Sequence, residues 1–161
     1  MALLQAVARL FHDGTPIDVL IAGTGPDRSY LEREAEILGI RESVHFLGRL
    51  EDVREALAAM DVFVLPSRSV ETFSNAALEA MAMALPCVLS KVGGAGEMVS
   101  DGVDGYLYER HDIIRLAELL QKLRGDPQLR RQIGTKARER VRSKFDISTM
   151  FDEYESVLGA N

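Results

Sequence analysis

Hydrophobic residues follow two alternating spacings along the chain. Leu3, Leu4, Val7, Leu10 and Phe11 recur at the spacing of a helix, and the turn-forming residues 13–16 end that helix. Later helices are predicted over residues 27–38, 51–60, 75–84, 93–99, 113–123, 127–145 and 148–158. Short aliphatic runs predict buried strands over residues 17–22, 44–48, 61–66, 86–90 and 105–108. Strands and helices therefore alternate through most of the sequence.

This alternation predicts a Rossmann-like α/β fold, in which a parallel sheet is covered by helices on both faces. No repeat, linker or low-complexity segment divides the chain. Residues 1–161 are therefore expected to form one domain, with residues 146–161 as a C-terminal helix. Parallel sheets of this kind bind ligands at the carboxyl ends of their strands. Functional residues are expected just after Gly23, Leu47, Leu65 and Ser90.

Composition restricts the classes of function. Of the 161 residues, 47% are hydrophobic, which is enough for a sizeable core. The 25 acidic and 19 basic side chains give a net charge of −6, which argues against a nucleic-acid binder. The single cysteine excludes an internal disulfide. Charges interrupt the apolar stretches and no secretory signal opens the chain, so a cytoplasmic protein with at most peripheral membrane contact is expected.

Several other motifs are weak. The third glycine of a dinucleotide fingerprint is replaced by Arg28, which disfavours NAD. No Asp-x-Asp occurs, and His12, His45 and His111 lack the spacing of metal ligands. Neither a metal nor a bound cofactor is expected. The basic residues between positions 130 and 144 are interpreted as a solvated helix face.

The most informative segment runs from the strand end at Leu65 into an apolar helix. Glu79 is the only charged residue of that helix, which is predicted to be buried, and Glu71 lies in the loop before it. Two carboxylates can accept hydrogen bonds from ligand hydroxyls, while backbone N–H groups near Thr72 to Asn75 can hold an anion. The segment thus predicts a ligand with hydroxyls and phosphate. Alternatively, Glu79 pairs with an internal basic residue and Glu71 is a solvated loop charge.

These two glutamates are also part of a longer motif. The segment E-T-F-S-N-A-A-L-E-A-M-A-M-A-L-P resembles the E-x7-E signature of family 4 retaining glycosyltransferases with the GT-B fold. Four further segments resemble motifs of the same family in the same order. They are I-A-G-T-G-P at residues 21–26, V-H-F-L-G at 44–48, D-V-F-V-L-P-S at 61–67 and G-G-A-G-E followed by D-G-x-x-G at 93–105.

The resemblance implies that the chain is the C-terminal, donor-binding domain of such an enzyme. Glu71 would be the candidate catalytic residue, in contact with the donor sugar, and Glu79 would accept hydrogen bonds from the ribose. The remaining donor-binding residues implied by the motifs are Thr72, Phe73, Ser74 and Asn75 for sugar and diphosphate, Gly48, Arg49 and Leu50 for the base, and Gly23 in the glycine loop.

The sequence departs from the family pattern in three ways. Thr72 and Ala84 stand where the family usually has glycine. By the resemblance, the family's first strand, with its Arg and Lys element, and its acceptor-binding N-terminal domain are expected to lie outside the 161 residues. In the usual strand order the missing strand lies centrally. Its absence predicts either direct pairing of the strands at 17–22 and 61–66 or a gap filled by another chain, as in a homo-oligomer or a strand-completed complex.

The resemblance therefore implies half of a GT-B enzyme that transfers a hexose from a UDP-, GDP- or ADP-linked sugar to an acceptor hydroxyl, in polysaccharide biosynthesis. Retention and independence of metal are implied by the resemblance. The isolated chain is expected to be inactive or nearly so, because catalysis requires that both substrates be positioned. Two alternatives remain: a non-catalytic nucleotide-sugar binding or assembly module that needs a partner chain, and a nucleotide-sugar epimerase, which the ordered motifs disfavour.

Overall fold

The computed structural model describes residues 1–67 and 73–146, together with residues 151, 155, 156, 158 and 159. Its helices are α1 (Ala2–His12), α2 (Arg28–Ile37), α3 (Arg54–Ala58), α4 (Asn75–Ala82), α5 (Ala95–Met98), α6 (Ile113–Gly125) and α7 (Pro127–Lys144), with a 3-10 turn at Arg41–Ser43. Its strands are β1 (Val19–Ala22), β2 (Val44–Gly48), β3 (Phe63–Leu65), β4 (Cys87–Ser90) and β5 (Tyr106–Tyr108). The predicted order of elements is confirmed up to α7, whereas the helix predicted over 148–158 lies mostly outside the described residues.

The strands pair in parallel, but they form two sheets instead of one. β1 pairs with β2, with Val19 opposite Val44. β4 lies between β3 and β5, with Leu89 opposite both Leu65 and Leu107. Helices pack against both faces of the larger sheet. The Rossmann-like fold class is therefore confirmed.

β4 is buried on both of its faces, as expected of a central parallel strand. Val88 packs into a cluster with Leu10 of α1 and Leu116 of α6. Cys87 and Leu89 pack on the opposite side with α4 and α5. Burial raises the pKa of the Cys87 thiol, so this side chain stays protonated and acts as a small apolar group.

A cavity of about 1070 Å³ separates β1 from β3 and is lined along its length by both strands. Leu3 and Leu4 of α1 and Leu57 of α3 close it on the two sides. The edges of β1 and β3 that face the cavity have no strand partner among the described residues. The predicted alternative of direct pairing is thus wrong, and the predicted gap is present.

The two strands beside the cavity run in the same direction. Arg124 at the end of α6 donates to the carbonyl of Pro16, before β1, at 3.3 Å. Arg130 at the start of α7 forms an ion pair with Asp61, before β3, at 3.1 Å, and also donates to the carbonyl of Arg124. The amino ends of β1 and β3 are therefore held at one corner of the molecule. Their carboxyl ends lie at the opposite mouth of the cavity.

α4 ends in a Schellman turn whose left-handed residue is an alanine. The N–H of Ala84 donates to the carbonyl of Met81 at 2.9 Å, and the N–H of Leu85 donates to the carbonyl of Ala80 at 3.0 Å. Ala84 has a φ of 60°, where a Cβ atom is disfavoured. The departure from glycine noted in the sequence is therefore a local strain.

Replacing Ala84 by glycine is expected to raise the free energy of unfolding by about 0.5–1 kcal/mol, because relief of the left-handed strain exceeds the added freedom of the unfolded chain. Urea denaturation of the purified variant measures this change. Ala82→Gly is the matched control: Ala82 is exposed at the last position of α4, and glycine there should destabilise the helix. A loss of stability in Ala84→Gly would contradict the strain.

Candidate functional site

Residues from four separate parts of the sequence meet at the carboxyl mouth of the cavity. Gly23 follows β1, Arg49 and Leu50 follow β2, Pro66 follows β3, and Glu79 comes from α4; each of them lines the cavity. This is the edge at which parallel α/β sheets bind ligands. The structure therefore brings together four of the residues that the sequence singled out, with Pro66 as an addition.

The loops after β1 and β2 are joined by a hydrogen bond between two glycines. The N–H of Gly23 donates to the carbonyl of Gly48 at 2.7 Å. Both residues have positive φ, 116° for Gly23 and 73° for Gly48, which is a conformation that favours glycine. Gly48 does not itself line the cavity, but it holds Gly23 and directs the chain into Arg49 and Leu50, which do.

Glu79 lies one turn into α4 and is exposed at the cavity mouth. The expectation that its helix buries it is wrong, because the side of α4 that carries Glu79 faces the open cavity. The alternative of an internal basic partner is not met within residues 1–67 and 73–146, where no hydrogen bond or ion pair involves its carboxylate. The carboxylate is therefore available to a ligand from this side.

The amino end of α4 carries free backbone N–H groups, and Ala76 in its first turn lines the same cavity. Ser74 is the N-cap, and its hydroxyl accepts from the N–H of Ala77 at 3.3 Å. The N–H of Ser74 donates to the Met98 sulfur at 3.4 Å. The N–H groups of Asn75 and Ala76 have no acceptor among the described residues, as is usual in a first helical turn. A helix N-terminus with such free N–H groups can bind an anion.

Ala76 was missed in the sequence analysis, although it lines the cavity. Its side chain has no polar atom, so no motif points to it. The signal was its position as the second residue of a helix that follows a serine cap, since that N–H group stays unpaired.

Phe73 does not line the cavity. Its ring packs edge-on against Phe145, at the end of α7, with 5.2 Å between ring centroids. The two remaining candidates, Glu71 and Thr72, lie outside the described residues. Their assignment stays a prediction from sequence.

The electrostatics of the two cavity ends differ. Arg49 is exposed at the carboxyl mouth, whereas Arg124 and Arg130 lie at the amino end. Lys91, which follows β4, is paired with Glu109 at 3.0 Å. Arg49 is therefore the cation best placed among the described residues for an anion at the mouth.

Asp52, two residues after Leu50, carries a fixed negative charge near this loop. Side-chain hydrogen bonds from Arg54 lower the pKa of Asp52 to about 2, and Asp52 also accepts from the Arg54 backbone N–H at 2.9 Å, at the start of α3. Asp52 thus stabilises the turn into α3 and is already occupied. It is no candidate for a ligand contact.

The described residues carry neither a metal-binding cluster nor a membrane-spanning helix. No group of three or more His, Cys, Asp and Glu side chains is arranged to hold a metal ion. No helix in this part of the chain combines the length and apolar character needed to cross a membrane.

Known proteins are similar to this chain in sequence and in fold. The family model described as glycosyl transferases group 1 matches residues 2–140. The chain is 34% identical over 157 residues to N-acetyl-alpha-D-glucosaminyl L-malate synthase of Bacillus anthracis, a match that covers 96% of this chain and 40% of that protein. The chain therefore spans about two fifths of the length of this relative.

Two solved structures define the part that is matched. HepE of Anabaena in complex with UDP is similar with a TM-score of 0.90 and 27% identity, over 99% of this chain and 44% of HepE. The C-terminal domain of a glycosyl transferase group 1 family protein (LpcC) from Francisella tularensis is similar with a TM-score of 0.77 and 28% identity, over 91% of this chain and 78% of that one. The chain belongs to the group 1 glycosyl transferases and has the fold of their C-terminal domain, which is half of a GT-B fold.

Proposed function

We propose that this chain forms the donor site of a retaining, metal-independent glycosyltransferase that moves a hexose from a nucleotide-diphosphate sugar to an acceptor hydroxyl. One observation carries the proposal: Glu79, whose carboxylate has no partner among the described residues, and Ala76, whose N–H group is unpaired, line one cavity, and the unpaired N–H group of Asn75 precedes Ala76 in the same helical turn. A carboxylate that accepts hydrogen bonds from hydroxyls, next to a site for an anion, fits a ribose linked to phosphate. The UDP held by HepE, a structural relative, supports the same choice.

Each part of the donor has a matching group in this proposal. The diphosphate binds the N–H groups at the amino end of α4, where the helix dipole is positive, and Arg49 adds a charge. The ribose hydroxyls donate to Glu79. The base lies against the backbone of Gly48, Arg49 and Leu50. Contact of Glu71 and Thr72 with the donor sugar rests on the resemblance, since both lie outside the described residues.

The proposed reaction breaks the bond between the anomeric carbon and the diphosphate oxygen. The electron pair leaves with the nucleoside diphosphate, the acceptor oxygen forms the new glycosidic bond on the same face, and the leaving diphosphate takes the acceptor proton. Negative charge grows on the diphosphate as the bond breaks. The preorganised N–H groups of Asn75 and Ala76 stabilise that charge, which is their contribution to rate. Glu79 orients the ribose and moves no proton.

Calorimetric titration of the purified chain with UDP, GDP and ADP tests the donor site, with the matching monophosphates as controls. One diphosphate should bind to saturation and more tightly than its monophosphate, because the second phosphate adds charge at the amino end of α4. If no diphosphate saturates the chain, or if mono- and diphosphate bind equally, the proposed donor site is wrong. Binding without transfer in the full-length protein would favour the non-catalytic module.

The isolated chain is expected to transfer labelled sugar at least about 10²-fold more slowly than a full-length relative, because in this proposal the groups that position an acceptor lie outside these 161 residues. The measurement is release of nucleoside diphosphate with and without an acceptor, at equal concentrations of the two proteins. Transfer at a comparable rate would contradict an acceptor site outside this chain.

We also propose that the cavity between β1 and β3 takes one further strand, parallel to both. Its two walls are sheet edges that run in the same direction and have no partner among the described residues. The layers above and below are apolar, with Leu3 and Leu4 on one side and Leu57 on the other. Such a strand would end at the carboxyl mouth, beside Glu79, so its following loop would complete the donor site.

A further inference from the structure

α7 lies along the whole length of α4. At one end, Gly134 of α7 packs so closely on the Ala84 turn that a Cβ atom at Gly134 would overlap the carbonyl oxygen of Ala84. At the other end, Phe145 contacts Phe73, just before α4 begins. Glycine at position 134 is thus required by close approach, and α7 supports both termini of the helix that carries Glu79.

Between these two contacts, Arg140 reaches from α7 to the last residues of α5 and the loop that follows it. Its Nε donates to the carbonyl of Met98 and its Nη2 to the carbonyl of Glu97, both at 2.7 Å. Its Nη1 donates to the hydroxyl of Ser100 at 3.0 Å and to the carboxylate of Asp104 at 3.3 Å. The guanidinium therefore binds two carbonyls, a hydroxyl and a carboxylate at once, and the Arg140 side chain is only 14% exposed.

This arrangement corrects, at Arg140, the interpretation of the α7 basic residues as a solvated face. The other basic residues from position 131 onward are exposed as expected, namely Arg131, Lys136, Arg138, Arg142 and Lys144. Asp104 is itself buried, and its second oxygen accepts from the N–H of Ser100 at 2.6 Å. A buried carboxylate and two backbone carbonyls would be costly to leave unpaired. Lysine cannot replace the planar fork of arginine at such a site.

The end of α5 that Arg140 holds touches the first turn of α4 through Met98. Met98 is buried, and its sulfur accepts from the N–H of Ser74 at 3.4 Å. Ser74 in turn caps α4 through the N–H of Ala77. A continuous path of contacts therefore leads from Arg140 to the turn that presents the N–H groups of Asn75 and Ala76.

We propose that Arg140 is a positioning residue for the anion site at the amino end of α4. By fixing the backbone of residues 97–100, it fixes Met98 against Ser74, and Ser74 sets the direction of the first turn of α4. Its role toward a diphosphate rests on the proposed function, whereas its role in ordering the turn does not.

Hydrogen exchange tests the positioning directly. In Arg140→Met, the amides of Ser74 and Ala77 should exchange at least about tenfold faster, while amides in β1 and β2 keep their protection, because only the local turn is released. Arg138→Met is the matched control, since Arg138 is exposed on the same helix and makes none of these bonds. Arg140→Lys should fall between the wild type and Arg140→Met.

Met98→Leu interrupts the same path at its far end and keeps the volume of the side chain. It should accelerate exchange at Ser74 without changing the bonds of Arg140. If Arg140→Met folds poorly, this variant still tests the contact between Met98 and Ser74. Exchange at Ser74 that is unchanged in both variants, or that rises equally across the chain, would overturn the proposal.

Titration with UDP separates this inference from the proposed function. The dissociation constant should rise about tenfold in Arg140→Met and stay unchanged in Arg138→Met, at a temperature where both are folded. If the wild type binds no diphosphate, the proposed function is wrong and the exchange experiment still decides the role of Arg140. If the wild type and Arg140→Met bind UDP equally, Arg140 does not position the anion site.

Discussion

A strand supplied to the cavity between β1 and β3 is expected to raise the free energy of unfolding by about 3 kcal/mol, and with it the Tm by roughly 6–12 °C. Four apolar side chains of such a strand would contribute about 2 kcal/mol each as they become buried against α1, α3 and the two sheets. New backbone hydrogen bonds to the two open edges add about 0.5–1 kcal/mol each. Ordering five residues costs about 1.5–2 kcal/mol per residue and offsets most of this gain.

The geometry of α1 allows the strand to be supplied in the same polypeptide. The turn after α1 leads to Pro16 at the amino end of β1, and α1 is eleven residues long, so Met1 lies toward the carboxyl mouth and lines the cavity. A five-residue strand of Val and Ile, joined to Met1 by a short glycine-containing turn, would run parallel to β1 and β3 and then enter α1. Thermal and urea unfolding of this extended chain, against the 161-residue chain, measures the effect.

The matched control has the same extension with proline at the centre of the added strand. Proline donates no hydrogen bond and is excluded from central strands, so this extension should give no stabilisation. Hydrogen exchange gives the second reading: amides of β1 and β3 that face the cavity should become protected only with the competent strand. Equal stability of the two extensions would show that the cavity does not accept a strand.

The order of strands and helices could be predicted from the sequence because each element carries its own periodicity. The aliphatic runs at 17–22 and 86–90 are long enough to specify buried parallel strands without any partner. The split of the sheet was only one of two predicted outcomes. β1 and β3 can pair directly only if their edges approach each other while α1 and α3 keep their packing. No local sequence pattern encodes that approach.

The candidate site was predicted best where a single motif carries it. Glu79 was predicted as a site residue because it is the only charged residue of an apolar helix. Its exposure to solvent was not predicted, because composition cannot distinguish a buried helix face from one beside an open cavity. Ala76 acts through its backbone, which leaves no trace in the side chain. Arg140 was missed because its partners lie about 40 residues away in the sequence, and a charged residue on an amphipathic helix normally faces solvent.

Glu79→Ala is expected to weaken the binding of the preferred nucleoside diphosphate by about 1–3 kcal/mol, through loss of a charged acceptor for the ribose hydroxyls. Glu79→Gln should have a smaller effect, for two reasons that act in the same direction. The amide oxygen still accepts one hydrogen bond. Removal of the negative charge also relieves its repulsion of the diphosphate. Calorimetric titration of the three proteins measures the difference, with Glu36→Ala as a control on an exposed glutamate that does not line the cavity.

A second ligand shows whether the lost energy belongs to the ribose. If Glu79 accepts from the 2′-hydroxyl, the wild type should bind the 2′-deoxy nucleoside diphosphate more weakly than the ribose form, whereas Glu79→Ala should bind both equally. The two deletions, one on the protein and one on the ligand, are then not additive, which is the mark of a direct contact. Additive losses would place the carboxylate elsewhere, on the donor sugar or on no part of the ligand. The exposed position of Glu79 would then reflect only the open cavity beside α4.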